Sequence, residues 1–161
     1  MEIIIKASEL LADIRSAAWL EQELHSDLDR HRRHQMADIC ETDNVEHVWR
    51  VLGVAVAEIR LTLGKILHPE TRPPSDDTLL QPSEWLFRPR FPLPVAIMSF
   101  IREKIHEYLV AAVMADRCAV IIPSASAVWH TRAREAISSL RVLASTTCPP
   151  HTPARRPLRL F

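Results

Sequence analysis

Apolar positions recur at three- and four-residue steps along most of this chain, the spacing that gathers them on one face of an α-helix. The clearest run is Val45, Val48, Trp49, Leu52, Val56, Ile59, Leu63 and Ile66, with Asp43 or Asn44 expected as its cap. Glu46 and Arg50 form an i,i+4 pair on its other side. Before it, Ser8 reads as the cap of a helix whose stripe is Leu10, Leu11, Ile14 and Ala18. A further helix is expected from Ser26 to Cys40. Its apolar face is thin (Leu24, Leu28, Met36, Ile39), which predicts a place on the bundle surface. A fourth helix opens at Pro94 and carries Met98, Ile101, Ile105, Leu109, Ala112 or Val113, and Val120. Pro123 stops it. Ser124 or Ser126 is expected to cap a fifth, with Val128, Trp129, Ala133, Ile137, Leu140 and Leu143 facing inward.

Two short segments break the helical period. Ile3–Ile5 is β-branched and too short for a helix, and Glu84–Arg88 has strand character and is bounded by Pro82 and Pro89. A lone strand leaves backbone groups unpaired, so the two are expected to pair with each other. The twelve prolines fit this plan, because seven lie between Pro69 and Pro94, one is Pro123 and four lie between Pro149 and Pro157. The fold predicted is mainly α: a bundle of four to five helices with a small two-stranded extended element. Residues 1–145 make one helical domain interrupted by a long Pro-rich connection at 68–94, and residues 146–161 form an extended Pro/Arg-rich C-terminal arm. Proline-rich chain of that kind cannot build a core alone.

Composition then removes whole classes of function. Gly53 and Gly64 are the only glycines, so no glycine-rich phosphate loop can be written. Close approach of neighbouring helices is the expected reason for keeping them. The 20 basic and 20 acidic residues cancel, leaving no chain-wide pull toward nucleic acid or an anionic membrane. Cys40, Cys118 and Cys148 are far apart with no Cys-x-x-Cys pair, which argues for free thiols. The apolar stretch at the start is too short for a signal peptide, and no run is long enough to span a bilayer. The expectation is a soluble, cytoplasmic protein with no membrane contact.

Candidate chemistry is sparse. Asp27, His31, His34 and Asp38 share one arc of the second helix, where carboxylate and imidazole could hold a divalent metal. Arg30, Arg32 and Arg33 beside them would repel a cation, and His47 and His106 are the only further donors in view, so the stripe is expected to be metal-free. Glu103-x-x-His106 matches one half of a di-iron motif whose second copy is absent. No Gly-x-Ser-x-Gly elbow exists. Asp116 continues an inner stripe and is expected to meet an arginine or a helix cap. No catalytic residue, cofactor or metal is therefore assigned. The arm offers Arg155, Arg156, Leu158, Arg159, Leu160 and Phe161 as partner-binding residues. Its three apolar anchors favour docking on another subunit over phosphate contact. A metal-dependent enzyme built on Asp27, His31, His34 and Asp38, and a nucleic-acid-binding accessory protein working through the arm, are the alternatives.

The pieces Ile3-Ile4-Ile5-Lys6, Leu10 to Glu21, Asn44 to Leu52, Ile105 to Leu109 and Arg155 to Phe161 together resemble a family of small helical proteins. Those are carried in prophages and related mobile elements of gut anaerobes, among genes for virion structural proteins. The resemblance spans most of the chain in the same order and departs from the family in the proline-rich stretch 69–94. It implies a non-enzymatic structural or assembly role at a head–tail junction or in tail completion. A homo-oligomer or other virion proteins would be the partners, and no catalytic residues come with it.

Overall fold

Ile3 and Ile5 point into the molecule and Ile4 away from it, as the two-residue period of a strand demands. In the computed structural model, which describes residues 2–25, 27–68 and 81–147, strand β1 (Ile3–Lys6) pairs antiparallel with β2 (Glu84–Phe87). The register sets Ile3 opposite Phe87, Ile4 opposite Leu86, Ile5 opposite Trp85 and Lys6 opposite Glu84. Trp85 and Phe87 join Ile3 and Ile5 in the core. The expected pairing of the two β-rich segments is present, with its inward residues forming a lid on the helices.

Helix α1 (Ala7–Leu24) follows β1 without a loop. Lys6 holds its cap position and no side chain caps it, so Ser8 is not the cap expected. The Ala7 amide is satisfied by the carbonyl of Ser83 at 2.9 Å, so the strand ladder does part of a cap's work. Helix α2 (Arg30–Ala37) is shorter than the predicted 26–40 segment, because Asp29 stops and caps it by accepting from the Arg32 amide at 2.8 Å. Met36 is its buried residue, and Ile39 and Cys40 enter the core from the turn that follows. Leu24, expected on this apolar face, is instead the exposed end of α1.

Helix α3 (Thr42–Thr62) carries the predicted stripe, with Val48, Leu52, Val56 and Ile59 buried. Its start lies behind Glu41, which makes no side-chain cap bond. The amide of Asn44 is used elsewhere, donating to the Asp38 carbonyl at 3.0 Å. Leu63 and Ile66 are buried but lie in the turn beyond the helix. Neither glycine serves close helix approach. A Cβ on Gly53 would meet nothing within 4 Å, and one on Gly64 would meet only the carbonyls of Leu61 and Arg60 at 3.3 and 3.4 Å.

Helix α4 (Val95–Ile121) is the centre of the bundle. The Glu9–Arg102 and Asp13–His106 contacts show α1 running parallel to it, and Asn44–Arg117 and Glu58–Tyr108 show α3 running antiparallel. Helix α5 (Pro123–Thr146) folds back on it after Ile122. Pro123 opens α5 where the missing amide hydrogen has no partner to lose. Ser126 is not an N-cap; its buried hydroxyl donates to the Ala115 carbonyl at 3.0 Å, fastening the hairpin. Ala111 and Ala115 of α4 and Ala125, Ala133 and Ala136 of α5 are all buried, giving the pair a small-residue seam.

Enclosure widens the buried face of α4. Its first half buries one stripe, Met98, Ile101 and Ile105, which continues through Leu109 and Val113, whereas the second half also buries a second arc of Ala111, Met114, Ala115, Cys118 and Ile121. Val120, expected in the core, is consequently exposed, as is Val128 on α5 beside the buried Trp129. Residues 69–80 of the connection and all of the arm beyond Thr147 lie outside the described residues, the latter with Arg155, Arg156, Leu158, Arg159, Leu160 and Phe161.

Candidate functional site

Two surface clefts carry most of the polar side chains singled out from the sequence. The larger, of about 820 Å³, lies between α1 and α4 and is lined by Glu9, Asp13, Ser99, Arg102, Glu103, Lys104, His106 and Glu107. The parallel run of the two helices brings residues four apart on each into step, so their charges meet in pairs. His106 Nε2 lies 2.7 Å from Asp13 Oδ2, Arg102 reaches Glu9 at 3.3 Å, and Lys104 reaches Glu107 at 2.6 Å. Lys6 also holds Glu9 at 3.1 Å and, with its hydrogen bond the leading cause, keeps that carboxyl below the usual carboxylate range. The imidazole of the Glu103-x-x-His106 element is thus engaged by a carboxylate of another helix, and Glu103 is exposed. The His106–Asp13 and Arg102–Glu9 pairs join α4 to α1, whereas Lys104–Glu107 lies within α4; exposed pairs of this kind each add little to stability.

The second cleft, about 460 Å³, is lined by His31, His34, Gln35, Asp38, Asn44, Arg117, Val120 and Ile121. Of the four residues expected on one helical arc, only His31 and His34 belong to α2; Asp27 precedes the helix and Asp38 is its C-terminal cap. The arc is therefore broken, because Asp29 rather than Ser26 begins the helix. His31 Nε2 lies 3.1 Å from the Gln35 amide nitrogen. Among the described residues no three His, Cys, Asp or Glu side chains converge to hold a metal ion.

Asp116 departs from its expected place. It is half-exposed and meets His47 of α3 at 2.6 Å, not an arginine or a cap. Its neighbour Arg117 instead donates to Asn44 Oδ1 at 2.8 Å, leaving its buried Nε without a partner. Further along the α3–α4 contact, the Tyr108 hydroxyl donates to Glu58 Oε2 at 2.5 Å, and Arg141 of α5 reaches the other Glu58 oxygen at 3.4 Å. Burial, with the hydrogen bond to Glu58, pushes the Tyr108 phenol up from its ordinary value. Sequence spacing gave no signal for this three-helix link, since Glu58 and Tyr108 are fifty residues apart.

Of the three cysteines, Cys148 lies outside the described residues. Cys40 and Cys118 are buried and unpaired to each other, and burial raises both, that of Cys118 to about 12.

What the stripes did not reveal is the apolar material facing outward. Leu61 is 84% and Val54 72% exposed on the outer side of α3, a helical turn or two apart, with the exposed Ala57 between them. Trp19 and Leu20 are more than half exposed on α1, and Leu24 is 75% exposed at its end. The available signal was their position off the buried period. No helix among the described residues is long and apolar enough to cross a membrane. No protein-family model, curated protein or solved structure matches the chain.

Proposed function

We propose that this chain is a non-enzymatic structural or assembly protein, a helical component of a prophage virion working at a head–tail junction or in tail completion. The observation that carries the assembly reading is the outward apolar set on two helices, Val54 and Leu61 on α3 and Trp19, Leu20 and Leu24 on α1. A large side chain left in water forgoes about 1.5–3 kcal/mol that burial against a partner would return. Arg102 and His106 of the larger cleft, by contrast, are matched by Glu9 and Asp13 of α1, which suits a rigid building block. The virion context comes from the resemblance of the β1–α1, α3 and α4 segments and the closing Arg155–Phe161 stretch.

The test is incorporation. Particles are banded on a density gradient from an induced host carrying the gene, and their proteins are counted by mass spectrometry. The chain is expected at a fixed copy number per particle, reduced in a Val54→Glu/Leu61→Glu variant that keeps the wild-type helical spectrum. Absence of the wild-type chain from mature particles and from assembly intermediates overturns the reading.

A further inference from the structure

Among the described residues no strand pairs with the outer edge of β1, and the chemistry of that edge is self-complementary. Ala7 donates to the Ser83 carbonyl at 2.9 Å, and with the register of β1 on β2 this makes Ile3/Phe87 and Ile5/Trp85 the pairs that exchange hydrogen bonds. The amide and carbonyl of Ile4 therefore point the other way, off the edge of the sheet, as do the amides of Glu2 and Lys6. Among the described residues none of these meets a backbone partner, and the sheet has two strands only. Edge strands are normally kept from pairing by a proline, a bulge, an inward-facing charge, charged side chains along the edge or very short length. β1 has the short length and the charges of Glu2 and Lys6, which leave the edge open to a strand of matching charge. Glu2–Lys6 has no proline, its inward positions are Ile3 and Ile5, and its outward face shows Ile4, 40% exposed, beside Leu86, 38% exposed.

We propose that β1 is a dimerisation edge, pairing antiparallel with β1 of a second copy about a two-fold axis through Ile4. The sequence Glu-Ile-Ile-Ile-Lys reads as acid, three apolar residues, base. Centred on Ile4, antiparallel self-pairing sets Ile4 against Ile4 of the second copy, with both hydrogen bonds exchanged. Ile3 then faces Ile5 of the other copy on the inner side, and Glu2 faces Lys6 of the other copy on the outer side, twice by symmetry. The charges continue beyond the new seam, since Arg88 holds Glu2 at 2.6 Å and Glu9 holds Lys6 at 3.1 Å. Each end of the joined sheet becomes a string of alternating sign: Arg88, Glu2, then Lys6 and Glu9 of the second copy. A shift of register by one residue breaks both charge matches and the inner apolar pairs together. The result is a four-stranded sheet, β2–β1–β1–β2, with the helices of both copies on one face. It names a partner for the assembly reading and rests on that reading for its use. A strand this short buries less than a standard interface, so affinity in the micromolar range is expected.

The experiment measures the mass of the full chain by sedimentation from about 5 to 500 µM, a range chosen for a weak interface. Wild type is expected to approach twice the chain mass at the upper end. Glu2→Lys and Lys6→Glu each place like charges opposite one another, and each alone is expected to weaken self-association about tenfold or more. An equimolar mixture of the two variants restores opposite charges at both positions, and is expected to associate as wild type does. Ile4→Pro removes the outward amide while sparing the inward bonds of Ile3 and Ile5, and is expected to abolish the dimer. Should that variant not fold, the charge variants, checked by circular dichroism, decide alone. A monomeric wild type, single variants that dimerise unchanged, or a mixture no stronger than its components overturns the proposal. Incorporation into particles is read separately, so either idea can fail while the other stands.

Discussion

Tyr108 donates its hydroxyl hydrogen to Glu58 Oε2 at 2.5 Å, and through that carboxylate α4 is tied to both α3 and α5, because Arg141 holds the second oxygen. A hydrogen bond to a charged acceptor contributes about 1.5–3 kcal/mol, more than an exposed ion pair, so this contact outweighs those in the α1–α4 cleft.

Alkaline titration follows from it. The Tyr108 phenol is raised above its ordinary value near 10 by burial and by its bond to Glu58. Above pH 10 the unfolded chain releases this proton before the folded chain does, so the folded state binds more protons there. Stability from this group is thus complete below pH 10 and falls as pH climbs through the folded value. Tyr108 is the only tyrosine in the chain, so absorbance at the tyrosinate band reports it alone. The expected result is a titration shifted above 10 in the folded protein, and an alkaline loss of melting temperature that is smaller in Tyr108→Phe.

Gly53 is exposed in the middle of α3 with open space where a Cβ would stand. Gly53→Ala removes backbone freedom from the unfolded chain at no steric cost. It should stabilise the fold by about 0.5–1 kcal/mol, seen as a rise of roughly 2–4 °C in a thermal melt. A fall would show that the position is needed bare, for a partner or a bend.

The two faces of β2 should answer mutation unequally. Phe87 is buried, with the Arg60 guanidinium 5.7 Å above its ring, while its neighbour Leu86 lies on the outer face. Phe87→Ala is expected to cost about 3–5 kcal/mol by denaturant unfolding. Leu86→Ala should cost below about 1 kcal/mol. Equal losses would contradict the alternation.

Alkylation should separate the thiols by state rather than by position. At pH 8 a thiol pushed up to about 12 is almost wholly protonated, so Cys118 is expected to resist iodoacetamide in the native protein and to react fully in denaturant. Peptide mass mapping reads both conditions. Cys40, raised by burial as well, should behave the same way.

Local information was enough for most of the elements, though not for the bounds of α2, which runs Arg30–Ala37 where 26–40 was expected. The three- and four-residue steps placed α3, α4 and α5, and two β-rich segments in a helical chain had only each other to pair with, so Ile3–Ile5 and Trp85–Phe87 were legible as partners. Proline at 123 marked the hairpin because its ring permits a first turn and forbids an interior one. Caps were less legible. Ser8, Ser124 and Ser126 have the right chemistry, yet neighbouring carbonyls and strand ends satisfied the orphan amides first. Tertiary structure alone decided which charges meet. Asp116 finds His47, His106 finds Asp13 and Tyr108 finds Glu58, each across separations of fifty residues or more that no periodicity encodes. It also decided that α4 is buried around most of its second half, which put Val120 outside and Met114 inside. Periodicity reports one face of a helix, whereas a central helix is enclosed by whichever neighbours the whole fold brings to it.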